Sequence, residues 1–385
     1  MTRAQIHHRA VAILAIVLGV ALALITPTAP ASARTFDFNS AGSMVRQPLA
    51  PQRGCVMRRL LSGDLERIEC GESSAHQAHS VSIALASSRD PNLSWRARAP
   101  MPTAAGGLAS ATEGGLIFAL GGDTSGEAKS LDTVQAYNPK TNRWRVLAPM
   151  STARAMPGAA SVAGQIYAIG GFTTAGDALS TVESYNPRTG RWRTDAPLPV
   201  ATGQITAAAH AGRIYALGGF DEAGHALATL EIYDPSTNDW TIGKPMPTAR
   251  ALAQATWSGG HLYAIGGTDA EGNRLGVVEA YDPQTNTWQT KAPLPIPRAH
   301  PAVATLGDGQ IIAAGGGTKT HQPLSDVELY TPSANAWQKL TPLLQASSGG
   351  PTGAVVNGDV FYVIGGFTNG TNLHASRFVE ATTVR

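Results

Sequence analysis

The chain has 385 residues, of which 42 are Gly and 25 are Pro, with 15% charged and 6% aromatic. Gly at that level, without a collagen-like period, calls for many tight turns, and a hydrophobic content of 43% excludes wholesale disorder. The 29 basic residues stand against 27 acidic ones, a balance that excludes a polyanion-seeking surface and makes nucleic acid an unexpected partner.

Residues 1–33 read as an export signal. Arg3 and Arg9 supply a positive start, Ala10 to Ile25 is an unbroken apolar stretch, and Ala31-Ser32-Ala33 offers small residues to a peptidase. The alternative is an uncleaved anchor, but the apolar run is 16 residues, short of the roughly 20 that span a bilayer. Cleavage after Ala33 removes two of the 29 basic residues and leaves a formally neutral chain. The protein is therefore expected in a periplasm or outside the cell, with no membrane insertion once the signal is gone.

Residues 34–89 form an N-terminal extension. It holds both cysteines, Cys55 and Cys70. A hairpin about Ser62-Gly63 would set Cys55 opposite Cys70 and Arg59 opposite Glu66. In an oxidising compartment the pair is expected to form a disulfide that staples a segment with little core of its own; a broken amphipathic helix with two free thiols is the competing reading. His76 and His79 make an isolated H-x-x-H, too little to hold a metal.

From residue 90 to 385 a repeat takes over. Gly doublets close short apolar runs at Gly121-Gly122, Gly170-Gly171, Gly218-Gly219, Gly266-Gly267, Gly315-Gly316 and Gly365-Gly366, at intervals of 49, 48, 48, 49 and 50 residues. The runs, such as Ile166-Tyr167-Ala168-Ile169, have the length and composition of buried strands. About a dozen residues later comes an apolar residue, Glu, any residue and Tyr, as in Val182-Glu183-Ser184-Tyr185 and Leu230-Glu231-Ile232-Tyr233. Val134-Gln135-Ala136-Tyr137 is a variant. A Pro/Asn/Gly turn such as Asp234-Pro235-Ser236-Thr237-Asn238 then makes a hairpin and delivers Trp144, Trp192, Trp240, Trp288 or Trp337.

Four short antiparallel strands per repeat make one blade of a β-propeller. The di-glycine, spaced Tyr and spaced Trp resemble kelch repeats, and six copies cover residues 95 to 382. The fold expected is all-β, a six-bladed kelch propeller. Its sixth repeat stops before a Trp strand, while Trp95 stands 49 residues before Trp144 with no doublet of its own. The resemblance implies that the strand around Trp95 completes the last blade and locks the ring.

Groups present in every blade are architecture, and departures from the repeat are candidates for a site. The resemblance implies ligand binding on the face built by the loops after each doublet and the loops entering each innermost strand. Three entering loops carry Arg at one matching position, Arg154, Arg250 and Arg298, where the others have Ala105, Thr202 and Ser347. Three guanidiniums at a channel mouth would suit a carboxylate or acidic peptide; equally, they would tie down loop carbonyls. Two residues further on stand Gly107, Met156, Gln204, Leu252, His300 and Gly349, of which Gln204 and His300 are candidate ligand groups. The doublet loops add Phe172, Phe220 and Phe367, with Asp221 and Asp269. Exposed Phe would grip a sugar or peptide, whereas packed Phe would hold loop to blade. His300, His321 and His374 have no metal-ligand spacing, and no metal or other cofactor is expected.

Several chemistries are excluded. Kelch-type copper oxidases need a propeller Cys, and none lies there; G-x-S-x-G, H-E-x-x-H and the phosphate-binding G-x-x-x-x-G-K-[ST] are absent. No BTB-like domain is fused, so the ubiquitin-ligase adaptor role common among intracellular kelch proteins is not expected. The reading is an exported recognition or scaffold module, a monomer, that binds a polar or acidic protein or glycan and has no catalytic residue. The alternative is a carbohydrate mutarotase or epimerase, since exported bacterial kelch proteins include a sialic-acid mutarotase.

Overall fold

A computed structural model describes residues 55–59, 66–70, 91–124, 129–320, 322–350, 352–368 and 374–384. The signal segment, His76, His79 and His321 lie outside them. Within the extension, Cys55–Arg59 and Glu66–Cys70 pair antiparallel with Cys55 opposite Cys70 and Arg59 opposite Glu66. That is the expected backbone register.

The repeats fold as six four-stranded antiparallel sheets. The second blade is typical: Gly158–Val162 pairs with Gln165–Ile169, which pairs with Val182–Asn186, which pairs with Arg191–Asp195. Burial falls from the axis outward. Ile166, Tyr167, Ala168 and Ile169 are all buried, whereas the outer strand Arg191–Asp195 buries only its last residue. Because both faces of the second and third strands meet neighbouring blades, those strands are buried on both faces instead of alternating, and the third strand buries a Glu or Gln in every blade.

The aromatic repeat has one geometry. Tyr137 and Trp144 are directly paired, with ring centres 5.1 Å apart, and four further Tyr–Trp pairs lie at 4.9 to 5.2 Å. Each Trp ties its blade to the preceding one: Trp192 Nε1 donates to Ala148 O at 2.9 Å and Trp240 Nε1 to Ala196 O at 2.9 Å. The turn Asn takes positive φ, and Asn142, Asn238, Asn286 and Asn335 each accept the hydroxyl of their blade's Tyr.

The doublets are glycines for steric reasons. Gly170 and Gly171 have φ of 57° and 104°. A Cβ on Gly170 would stand 2.3 Å from Thr202 O of the next blade, so any side chain would force adjacent blades apart.

Closure follows the expected scheme. Arg96–Ala97 pairs with Val379–Thr383, Ala97 opposite Glu380 and Arg96 opposite Ala381. Trp95 just precedes that two-residue strand. It is buried, lies edge-on to Phe361 at 6.2 Å, and donates through Nε1 to Thr341 O at 3.0 Å, the same inter-blade bond that its five counterparts make. Trp257, outside the repeat pattern, stacks on His210 at 4.2 Å between blades and is structural.

Candidate functional site

The innermost loops converge on the axis through one residue each. Gly107, Met156, Gln204, Leu252, His300 and Gly349 all have φ between 50° and 57°. Four are not glycine, and for them this left-handed conformation is sterically costly. The conformation turns each peptide sideways, so that residues of successive blades bond to one another. Met156 N donates to Gly107 O at 2.7 Å, Gln204 N to Met156 O at 3.0 Å, and Leu252 N to Gln204 O at 3.3 Å. His300 N then donates to Leu252 O at 2.8 Å, and Gly107 N to Gly349 O at 2.9 Å. This backbone circlet, continuous except between His300 and Gly349, draws the loops in around the channel. The space left among Gly107, Met156, Gln204, Gln254, His300 and Gly350 is about 20 Å³, enough for roughly one water molecule.

The three arginines do not line that mouth. Arg154, Arg250 and Arg298 are each 0% exposed. Each pairs with the third-strand Glu of its own blade: Arg154 with Glu183, Arg250 with Glu279 at 2.7 Å, and Arg298 with Glu328 at 2.6 Å. Each also donates to backbone carbonyls, such as Gly170 O at 3.0 Å and Thr181 O at 2.8 Å from Arg154 Nη1. A ligand could reach these guanidiniums only by displacing a buried carboxylate. Of the two roles open to them from the sequence, tying down the loop is the one their contacts perform.

The phenylalanines are likewise packed. Phe220 and Phe367 are buried and Phe172 is half-buried. A Cβ on Gly203 would fall 2.2 Å from the Phe172 ring, and one on Gly106 2.2 Å from Phe367. Each ring therefore lies flat on the backbone of the next blade's entering loop. Asp221 and Asp269 organise their own turns. Asp221 Oδ1 accepts from Ala223 N at 2.9 Å and His225 N at 2.8 Å; Asp269 Oδ1 accepts from Asn273 N at 2.7 Å. Burial works to raise the Asp221 pKa, but the His225 and Ala223 hydrogen bonds hold it below the usual carboxylate value.

Gln204 and His300 do reach the channel. His300 is 7% exposed, and burial, helped by the positive charge of Arg274, pushes its pKa down to about 3. Its imidazole is neutral at any physiological pH and offers hydrogen bonds, not charge. Gln204 Oε1 is out of solvent with no protein donor.

Two further residues depart from the repeat at this face. Asp123 stands where other blades have Phe172, Phe220, Thr268, Gly317 and Phe367, making the same short bridge to the entering loop at Gly106. The residue is half-buried, but its Oδ1 is out of solvent without a partner, and burial pushes its pKa up to about 7. Arg274 holds the place of Ser130, Ala178, Ala226 and Pro323 in the bridges of the doublet loops. Its Nη1 donates to Thr268 Oγ1 at 3.3 Å and Gly272 O at 3.2 Å. Sequence reasoning passed over both, although the same test of departure from the repeat finds them once the doublet loops are aligned residue by residue.

Among the described residues no group of three His, Cys, Asp or Glu could hold a metal ion, and no helix is long and apolar enough to cross a membrane. A cavity of about 500 Å³ lined by Arg96, Arg98, Ala381, Thr382 and Thr383 lies at the end of the sixth blade's third strand away from the doublet.

Comparison with known proteins agrees with this architecture. The family model described as the KLHDC2/KLHL20/DRC7 kelch-repeats domain matches residues 107–288 and 158–366. No curated protein matches. Among solved structures, one titled "Structure of YjhT" superposes with a TM-score of 0.61 at 19% identity, covering 74% of this chain and 95% of its own; at that identity the likeness speaks for the fold alone. Two overlapping matches that together run from residue 107 to 366, over six blades with doublet, Tyr and Trp in register, place this chain in the kelch-repeat family.

Proposed function

We propose that the protein is an exported recognition or scaffold module that binds a protein or glycan ligand on the face formed by the doublet loops and the entering loops. The observation that carries this reading is the closed channel mouth. Pockets that enclose small molecules run to roughly 300–1,000 Å³, whereas the space inside the circlet is about 20 Å³. A ligand at this face must be met over a broad surface. The half-buried Arg274 and Asp123 supply charge at this face, with Gln204 and His300 buried at the channel beneath them, a mixed polar set that matches a polar partner. Arg154, Arg250 and Arg298 serve this surface by fixing the loops beneath it.

The test is a peptide and glycan array probed with the wild type, Arg274→Ala and Asp123→Asn. Affinity for the captured ligand is expected to fall about tenfold in each variant, the loss of one charge-assisted hydrogen bond, with thermal stability retained. Equal binding by all three proteins overturns the assignment of this face.

A mutarotase or epimerase remains the second reading, favoured by one observation. A carboxyl poised near neutrality is what a proton-shuttling site requires, and Asp123 is raised to about 7. Ring-opening of sialic acid followed by NMR tests it. Acceleration by the wild type that disappears in Asp123→Asn would replace the binding reading with the enzymatic one.

A further inference from the structure

The buried Arg–Glu pairs of the second, fourth and fifth blades have a counterpart in the third that lacks its arginine. The site is Glu231, on the third strand, 1% exposed and with neither carboxylate oxygen hydrogen-bonded to a protein donor. Thr202 occupies the arginine position, and its hydroxyl donates instead to Val200 O at 2.9 Å.

The other blades each deal with this position differently. The first has removed the charge altogether: Ala105 replaces Arg, and Gln135, which replaces Glu, accepts from Thr103 N at 2.8 Å. The sixth keeps Glu380 with Ser347 in place of Arg; Leu344 N donates to the carboxylate at 2.9 Å, and Ser347 Oγ donates to Gly365 O at 3.1 Å. The second blade adds Ser151 N to Glu183 at 2.9 Å, and the fourth adds Thr248 Oγ1 to Glu279 at 2.8 Å. In the third blade the matching residues are Pro199 and Val200. Proline has no N–H and valine no hydroxyl, and the Val200 N–H, near enough to Glu231 to oppose the effect of burial on its pKa, makes no hydrogen bond of normal geometry to it. The fifth blade, with Pro295 and Ile296 there, leaves Glu328 Oε2 without a donor in the same way, but has Arg298 to balance the charge.

We propose that Glu231, with the carbonyls of Gly218 and Thr229 beside it, binds a dehydrated monovalent cation of potassium or ammonium size in the place that a guanidinium holds in the sister blades. Those two carbonyls correspond to Gly170 and Thr181, which accept from Arg154, and to Gly315 and Asp326, which accept from Arg298 at 3.1 and 3.3 Å. The site offers oxygen only, the donor type that hard cations take. A single carboxylate balances a single charge, and Ca²⁺ or Mg²⁺ would need more anionic ligands or a retained water shell than a buried position allows. An isolated ionised carboxylate out of water is strongly unfavourable, whereas one with a cation against it is not. Val200, whose backbone lies beside Glu231, is itself partly exposed, so the site lies close beneath the surface.

The experiment compares thermal unfolding in potassium, ammonium and tetramethylammonium chloride at equal ionic strength in mildly alkaline buffer, with equilibrium dialysis against radioactive rubidium as a direct count. For the wild type, potassium and ammonium at about 100 mM are expected to raise Tm by about 2–4 °C over tetramethylammonium, which is too large to enter. About one rubidium should be retained per chain. Thr202→Arg supplies the missing guanidinium and Glu231→Gln removes the charge, as the first blade does; both should fold, lose the Tm response and retain no rubidium. A wild type that is indifferent to the cation overturns the proposal. So does an equal response in all three proteins, which would reflect general salt stabilisation.

Discussion

Arg298 Nη2 and Glu328 Oε1 lie 2.6 Å apart with both side chains out of solvent, and the same guanidinium grips Gly315 O at 3.1 Å. The pair joins the loop entering the fifth blade to that blade's third strand and to its doublet. It thereby holds His300, two residues on, at the channel.

Removing one partner of such a pair leaves an uncompensated buried charge. Arg250→Ala should destabilise the protein by about 3–5 kcal/mol, measured by urea unfolding. Adding Glu279→Gln, to copy the Ala105 and Gln135 arrangement of the first blade, should recover a large part of that loss. Equal stability of the single and double variants would show that the buried charge is not the cause.

The closing strand is small in extent but joins the first and last segments of the propeller. Deleting residues 90–99 should lower Tm sharply, because the sixth blade then loses its outer strand and Trp95. Trp95→Ala alone should cost about 3–5 kcal/mol, the usual range for emptying a buried Trp site. A propeller that melts unchanged without these residues would show that the ring closes by other means.

Stability should also depend on pH through Glu380. Burial raises its pKa from 4.5 to about 7, opposed by the backbone N–H groups of Leu344 and Gln345. The folded state therefore binds a proton more tightly than the unfolded chain. Its contribution is most favourable below about pH 4.5, falls as pH rises to about 7, and is constant above that, a change of up to about 3 kcal/mol. Urea unfolding at pH values on either side of this window should show a smaller drop for Glu380→Gln than for the wild type.

The phenylalanine packing is testable by a double-mutant cycle. Gly203 does not have positive φ, and the three atoms nearest its Cβ position all belong to the Phe172 ring. Gly203→Ala should cost about 1–3 kcal/mol by overpacking and close to nothing in a Phe172→Ala background. Identical costs in both backgrounds would place Phe172 elsewhere, free to meet a ligand.

The architecture was legible because it is written six times. A single Gly-Gly says little, but six doublets in step with Tyr185, Tyr233, Trp192 and Trp240 define strands, turns and ring size together, and the unpaired Trp95 identified the closing strand. Side-chain direction was not legible in the same way. Arg154, Arg250 and Arg298 sit on loops near the axis, as their positions required. Whether a long side chain then points to the channel or folds back to Glu183, Glu279 and Glu328 depends on where those carboxylates lie, a relation between strands that no local pattern encodes. Asp123 and Arg274 were accessible from the repeat itself. They stand out only when the doublet loops are aligned through the bridge that Asp123 makes with Ser130 and Thr268 makes with Arg274.

The circlet at the channel mouth has an electrostatic consequence. Five links run in one sense, each blade donating to the one before it, from His300 back to Leu252, Gln204, Met156 and Gly107, and from Gly107 to Gly349; the step between Gly349 and His300 has no such bond. Peptide dipoles that follow one another in a line, as in a helix, add to a field along the axis; dipoles that follow one another around a circle cancel. The five linked peptides follow one another around most of the ring, so their dipoles largely offset one another instead of adding into a pole aimed at an incoming molecule. Any preference for charge at the face must come from the few side chains that break the sixfold pattern, and exchanging Arg274 or Asp123 should invert that preference while leaving the ring intact.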